Sequence, residues 1–294
     1  MNARTRTLLT SVAGASLLTL GGLAWLARDL LATASTDGSR PSLLDLLEEA
    51  RQAPSSTPHP QVAPKPPAPL NWTSPMASLA ARQACPGVDE ALRDRLTQES
   101  GSLASQIRRI PTDPSNFGER YRRDVFGNRV DPTPRVIVLH ETVYGLNSAI
   151  NTFITPHAND DDQVSYHTLI GQQGQIIQVV DPVKRAFGAG NSAFNGLWVV
   201  TNPKVGGSIN NFALHLSLET PIDGENQAEG HSGYTRAQYD AAALVLADWM
   251  RRFQIPASNI TTHRHVDLGG ERSDPRSFNW NELQQRLVAL GVSC

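Results

Sequence analysis

The stretch Arg135-Val136-Ile137-Val138-Leu139-His140-Glu141-Thr142 decides the fold. Four consecutive apolar residues, three of them β-branched, read as a strand buried on both faces. That strand delivers a histidine at its C-terminal end. Downstream, Ser148 to Ile154 can start a helix. Val164 to Ile170 and Ile176 to Val180 read as two strands joined through Gly171-Gln172-Gln173-Gly174, a hairpin signal. Phe212 to Leu218 alternates Phe, Leu, Leu, Leu with Ala, His, Ser and reads as another strand. Thr235 to Phe253 places Tyr239, Ala242, Ala243, Leu246 and Met250 on one helical face, with Thr235 as N-cap and Pro256 beyond the end. Asn281 to Leu290 reads as a final helix. Strands interleaved with helices in this order predict an α/β or α+β domain with a central mixed sheet.

Upstream of Arg135 the character changes. Residues 111–134 are rich in Pro, Arg and Asp and predict an irregular arm. Residues 77–110 read as helical, with Leu92, Leu96, Leu103 and Ile107 as apolar positions, so 77–134 form a helical and irregular extension. Eight of the 20 prolines fall between residues 53 and 75. That composition gives an extended, semi-rigid spacer. With a short amphipathic helix over Pro41 to Gln52, it makes residues 35–76 a linker. Residues 1–34 carry Arg4 and Arg6 ahead of an uncharged run from Leu8 to Ala27, long enough to span a bilayer. A signal anchor or a cleaved signal peptide fits, with Ala32-Thr33-Ala34 as a processing site for the latter. Either places residues 135–294 in the cell envelope, beyond the inner membrane, and an uncleaved segment would tether them to it.

The net charge of −2 offers no electrostatic case for nucleic acid. Cys85 and Cys294 lie outside any metal-type spacing, so they are two thiols or one disulfide. No internal repeat is visible, and the chain is expected to act as a monomer.

Three places combine metal-type ligands with strand ends: Leu139-His140-Glu141-Thr142, Thr262-His263-Arg264-His265-Val266-Asp267, and Arg272-Ser273-Asp274-Pro275. Two imidazoles and a carboxylate make a catalytic zinc set with the fourth position left to water. Such a metal lowers the pKa of that water to roughly 7 and polarises the carbonyl under attack.

Val136 to His140, then Ser165-Tyr166-His167 with Leu169-Ile170, then Gly174, then Thr262-His263-Arg264 and Asp274-Pro275, together resemble the N-acetylmuramoyl-L-alanine amidase type 2 family. That family shares its fold with the peptidoglycan recognition proteins and phage T7 lysozyme. The resemblance covers about residues 135–285. It implies a mixed sheet flanked by helices, one zinc ion, and hydrolysis of the amide between N-acetylmuramic acid and L-alanine in peptidoglycan or muropeptides. It puts His140 at the first ligand position, His263 or His265 at the second, with Thr262-His263-Arg264 favouring His263, and Asp274 at the third.

Two departures from the family pattern bear on catalysis. The strand that usually supplies a catalytic carboxylate reads His215-Leu216-Ser217-Leu218-Glu219, with Ser217 at the usual Glu position. Glu219, two residues on and on the same face, is the candidate general base; a solvated Glu at a strand end is the alternative. Arg272 stands where many relatives carry an oxyanion-stabilising Lys. It keeps the charge without the point-like geometry, or pairs at the surface with Glu271 or Asp274. Glu141 is expected to line the cleft, His167 to be a packed histidine or to line it, and His231 to reach glycan from its loop. Gly188 replaces a histidine common in relatives. The competing function is a peptidoglycan-binding module of the same fold that does not cut, and a third reading changes the amide that is hydrolysed.

Overall fold

Val136–Glu141 (β3) is an interior strand of a six-stranded sheet, one place from its edge. The computed structural model describes residues 63–65, 67, 72–76, 87–204, 206–226 and 228–293, all within the compact unit that starts at Val62. The apolar run Leu8–Ala27, the helix expected over 41–52 and both cysteines lie outside those residues. Among the described residues no helix is long and apolar enough to cross a membrane.

Helices α1 (Glu90–Gly101) and α2 (Leu103–Gln106) lead into strand β1 (Ile107–Arg109). The short β2 (Phe117–Gly118) precedes β3. Helix α3 (Leu146–Ile154) follows, then β4 (Thr168–Ile170), β5 (Ile176–Gln178), β6 (Arg185–Ala186), β7 (Val199–Asn202), β8 (Gly206–Ser208) and β9 (Ala213–Leu218). Helix α4 (Arg236–Phe253), β10 (Ile260–Thr262), α5 (His263–Val266) and α6 (Trp280–Ala289) complete the chain. The main sheet runs β1-β5-β4-β9-β3-β10, with β4 and β5 antiparallel and every other pair parallel. This is the mixed sheet flanked by helices that the sequence predicts.

Strand alternation sends neighbouring side chains to opposite faces. Ile137, Leu139, Leu214, Leu216 and Leu218 join α4 and α6 in the largest core cluster. Val136 and Val138 point the other way, into a cluster with Phe194, Phe212 and Val266, and Phe153 of α3 covers Leu169 and Ile177 on β4 and β5. Helix α4 begins where expected. The Thr235 hydroxyl accepts from Gln238 N at 3.1 Å while the Gln238 side chain accepts from Thr235 N at 3.0 Å, a reciprocal cap of two otherwise orphaned donors.

The extension and the end of the linker each differ from the sequence reading in one place. Ile107 leaves the helical conformation, and Ile107–Arg109 adds a parallel edge strand to β5. Ahead of α1, Met76 is fully buried in the main core, and the Ser74 hydroxyl donates to the Ile260 carbonyl at 2.7 Å. The end of the proline-rich stretch is therefore fastened to the domain beside β10.

Candidate metal centre

The candidate site forms at the C-terminal ends of the neighbouring parallel strands β3 and β10. His140 sits one residue before the end of β3 and is wholly buried. Because β10 pairs in parallel with β3, with Thr262 opposite Leu139, the next residue His263 emerges beside His140. The two rings meet edge-on, 4.7 Å apart. Asp274 arrives from the loop before α6. Its carbonyl accepts from Arg264 N at 3.0 Å, and two residues on, Arg276 N donates to Glu141 Oε2 at 2.9 Å. The backbone carrying Asp274 is thus stitched to α5 on one side and to β3 on the other.

His140 Nδ1 lies 3.2 Å from Asp274 Oδ2, and His263 Nδ1 lies 3.0 Å from Asp274 Oδ1. One donor atom from each of His140, His263 and Asp274 falls within 4.8 Å of the others. Two imidazole nitrogens and a carboxylate oxygen at that mutual separation fit a zinc ion with an open fourth position. Burial depresses the His140 pKa to about 4, with the facing Asp274 carboxylate working against it, so the ring is neutral and keeps a lone pair. Burial alone would raise the Asp274 carboxyl, but its polar contacts with the His140 and His263 rings outweigh that and hold it far below the usual carboxylate range.

His265 is excluded from this cluster. Its Nδ1 lies 2.5 Å from the Thr262 hydroxyl, and its ring stacks on Trp72 at 3.9 Å with 17° between the planes. Of the two histidines left open by the sequence, His263 is the one that joins His140 and Asp274.

The other expected site residues lie outside the set of three donors. Glu219 accepts from Leu146 N through Oε1 and from Gln172 N through Oε2, each at 2.8 Å. It therefore ties the start of α3 to the β4–β5 hairpin. Arg272 is exposed at the rim, with its N–H donating to Asp267 at 3.1 Å, and its charge reaches the His140 and Tyr166 rings. Glu141 is buried. Its carboxylate accepts from the Arg276 guanidinium, the Tyr234 hydroxyl and His231 Nε2. His231 Nδ1 accepts from Gly233 N at 3.0 Å, so both its ring nitrogens are engaged. His167 is fully buried behind His215; Nδ1 accepts from His215 N at 2.9 Å, and Nε2 faces the Lys184 carbonyl at 3.2 Å.

Two residues that the sequence reading left without a role belong to the site. The Tyr166 ring stacks on His140 at 4.3 Å. Burial and the nearby Asp274 charge push its phenol well above the usual value, so it stays protonated and able to donate. In the sequence its signal is its place in the Ser165-Tyr166-His167 run that carries the family resemblance. Arg276 pairs with the buried Glu141 carboxylate and donates to the carbonyls of Gly224, Asn226 and Ala228. No local pattern distinguishes it from a surface arginine.

The chain is similar in sequence to proteins named as amidases. The chain is 30% identical over 118 residues to the 1,6-anhydro-N-acetylmuramyl-L-alanine amidase AmpD of Citrobacter freundii, covering 40% of this chain and 54% of that protein. It is 29% identical over 128 residues to AmpD of Salmonella typhimurium strain LT2, covering 44% and 59%. The chain thus spans a little over half the length of these relatives. Among solved structures, a selenomethionine derivative of AmpD aligns over 62% of this chain and 95% of its own at 25% identity, TM-score 0.47. The amidase AmiD from E. coli, in complex with anhydro-N-acetylmuramic acid-L-Ala-D-gamma-Glu-L-Lys, aligns over 61% and 67% at 21% identity, TM-score 0.42. The sequence profile of the N-acetylmuramoyl-L-alanine amidases matches residues 130–277, half of the chain and the whole of the His140, His263 and Asp274 set, and the chain belongs to that family.

Proposed function

We propose that this protein hydrolyses the amide bond between N-acetylmuramic acid and L-alanine in bacterial peptidoglycan or its muropeptide fragments, with zinc held by His140, His263 and Asp274. The observation that carries this reading is the convergence of those three donors within 4.8 Å. Family membership supports the bond, as do relatives named for that cleavage. When bound, zinc supplies Lewis-acid polarisation of the scissile carbonyl and activation of water.

The chain's own residues divide the remaining work. The neutral His140 ring is pinned from one side by Tyr166 and from the other by His263. The protonated Tyr166 hydroxyl and the Arg272 cation are suited to meeting negative charge as it develops on the carbonyl oxygen. Glu219 is the proposed base; each of its oxygens holds one backbone N–H and retains a second lone pair. Glu141, His167 and His231 act on substrate indirectly, by bracing the wall behind the cluster. The apolar run near the N-terminus supports a place in the cell envelope, tethered to the inner membrane.

One observation favours a second reading, a module that binds muropeptide without cutting it. The Glu219 carboxylate is engaged by Leu146 and Gln172, and Ser217 occupies the register position beside His140. One experiment separates the two. Purified protein is assayed for zinc content and incubated with peptidoglycan and with a defined muropeptide, and the products are read by mass spectrometry. Released stem peptide that disappears with chelator and returns with zinc is the expected result. Zinc-loaded protein that binds muropeptide and releases no new amine overturns the hydrolase reading.

A further inference from the structure

His215 has no counterpart in the roles assigned so far, and its surroundings are built for one. It faces the same side of the sheet as His140, since β9 pairs with β3 through Val138 opposite His215 and His140 opposite Ser217. His215 Nδ1 lies 3.0 Å from His140 Nε2, and both rings are wholly buried. Gly188 closes one side of the His215 ring. A Cβ at residue 188 would stand 2.5 Å from Nδ1 and 2.6 Å from Cγ, so only glycine leaves room for the ring. His167 lies parallel on another side at 5.7 Å, within 3° of coplanar orientation, and accepts the His215 backbone N–H.

We propose that His215 is a positioning residue that fixes His140 in its metal-binding tautomer by accepting a hydrogen bond from His140 Nε2. The inference rests on the metal reading of the His140, His263 and Asp274 cluster. Two imidazole nitrogens 3.0 Å apart share one proton. If His140 Nε2–H donates, His140 Nδ1 is bare and faces Asp274 and His263, where a cation belongs. If His215 Nδ1–H donates instead, His140 carries its proton on Nδ1, towards Asp274 Oδ2, and cannot ligate. Metal-bound histidines ordinarily donate their second nitrogen to a carboxylate, a carbonyl or water. Here an imidazole takes that part, and it adds no negative charge to the interior. The cost is visible: His215 Nε2, which carries the proton in this arrangement, is buried without a hydrogen-bond partner.

The test uses the full chain and zinc alone. Affinity is measured by competition with a chromophoric chelator for wild type, His215→Ala and His215→Asn, alongside the thermal midpoint of each metal-free protein. Losing such an outer partner typically weakens metal binding about 10- to 100-fold. That loss is expected for His215→Ala, with recovery in His215→Asn, whose amide oxygen restores the acceptor. A packing role alone would lower the metal-free midpoint and leave zinc affinity within about twofold, and that result overturns the proposal. If His215→Ala does not fold, long-range nitrogen NMR of zinc-loaded wild type decides. Protonated His140 Nε2 beside bare His215 Nδ1 supports the assignment, and the reverse pattern overturns it. Wild type that takes up no zinc removes the metal reading itself, a separate failure that carries this inference down with it.

Discussion

Ser217 on β9 stands in register with His140 on β3, and both side chains are completely buried. The Ser217 hydroxyl has no hydrogen-bond partner. The family resemblance places a glutamate at this position. A hydroxyl there cannot take a proton at neutral pH, whereas a carboxylate would stand beside the first ligand.

Ser217→Glu is therefore expected to raise turnover of a defined muropeptide. A positioned base typically contributes about 10²- to 10⁴-fold, and even a tenth of that range is measurable as released stem peptide. The larger side chain costs about 1–3 kcal/mol of overpacking, so the thermal midpoint is followed in parallel. A folded, zinc-loaded variant with unchanged turnover shows that proton transfer is already supplied elsewhere.

Glu219→Gln addresses that other source. The substitution keeps one acceptor and turns the second oxygen into a donor facing the N–H of Leu146 or Gln172. Stability is expected to fall by about 1.5–3 kcal/mol at most, the worth of a hydrogen bond to a charged group. If Glu219 is the base, protein confirmed as folded by circular dichroism keeps its zinc and loses at least about 100-fold in kcat. Loss of stability with full turnover would confine Glu219 to anchoring α3 against the hairpin.

Arg276→Met tests the wall behind the cluster. The Glu141 carboxylate and Arg276 guanidinium pair in the interior, and Arg276 also holds three loop carbonyls at residues 224–228. Removing one partner leaves an uncompensated buried charge, which costs about 3–5 kcal/mol. Denaturant unfolding should report that loss, and adding Glu141→Gln should recover part of it. Equal stability of Arg276→Met and wild type would show the pair to be open to water.

These residues mark where sequence reading succeeds and where it stops. Strand β3 was legible because a β-branched run has few other uses, and it carried His140 to its place. Helix α4 was legible from its apolar face and its cap. Glu141 was read as cleft lining because a sequence shows a charge without its partner, and Arg276 is 135 residues away. For Glu219, the candidate general base, sequence likewise gives no sign of its partners, which are backbone groups on two other elements. Ile107–Arg109 was read as helix because its strand identity comes from pairing with β5, a contact no local pattern records. The core position of Met76 was hidden in a proline-rich stretch whose composition predicts no packing at all.

Acid should loosen the metal-free protein through its buried histidines, and His167 offers the cleanest example. Its ring sits between His215 and Trp249, with the Arg120 guanidinium 3.3 Å from Nε2. Burial, followed by the Arg120 charge, holds its pKa well below the ordinary 6.5. Below about pH 6.5 the unfolded chain takes up a proton that the folded protein refuses. Stability is thus complete above that pH and declines as pH falls beneath it. Urea midpoints of the metal-free protein at about pH 7.5 and about pH 5.5 should differ in that direction, and His167→Gln should reduce the difference. An identical pH dependence in wild type and variant would mean that the ring titrates freely.

The pair His263 and His265 gives the sharpest division between metal and packing. They lie two residues apart on the four-residue helix α5, so their side chains leave it in different directions. His263 turns to Asp274, and His265 turns to Thr262 and Trp72. His263→Ala should abolish stoichiometric zinc uptake while the fold persists. His265→Ala should retain zinc and instead release residues 72–76, because the stack on Trp72 is lost. Such an aromatic contact is worth about 0.5–1.5 kcal/mol, enough to speed limited proteolysis near Trp72 without unfolding the sheet. Metal analysis and cleavage mapping on the same two preparations read both effects. If His265→Ala lost zinc while His263→Ala kept it, the ligand set would have to be redrawn around the other imidazole.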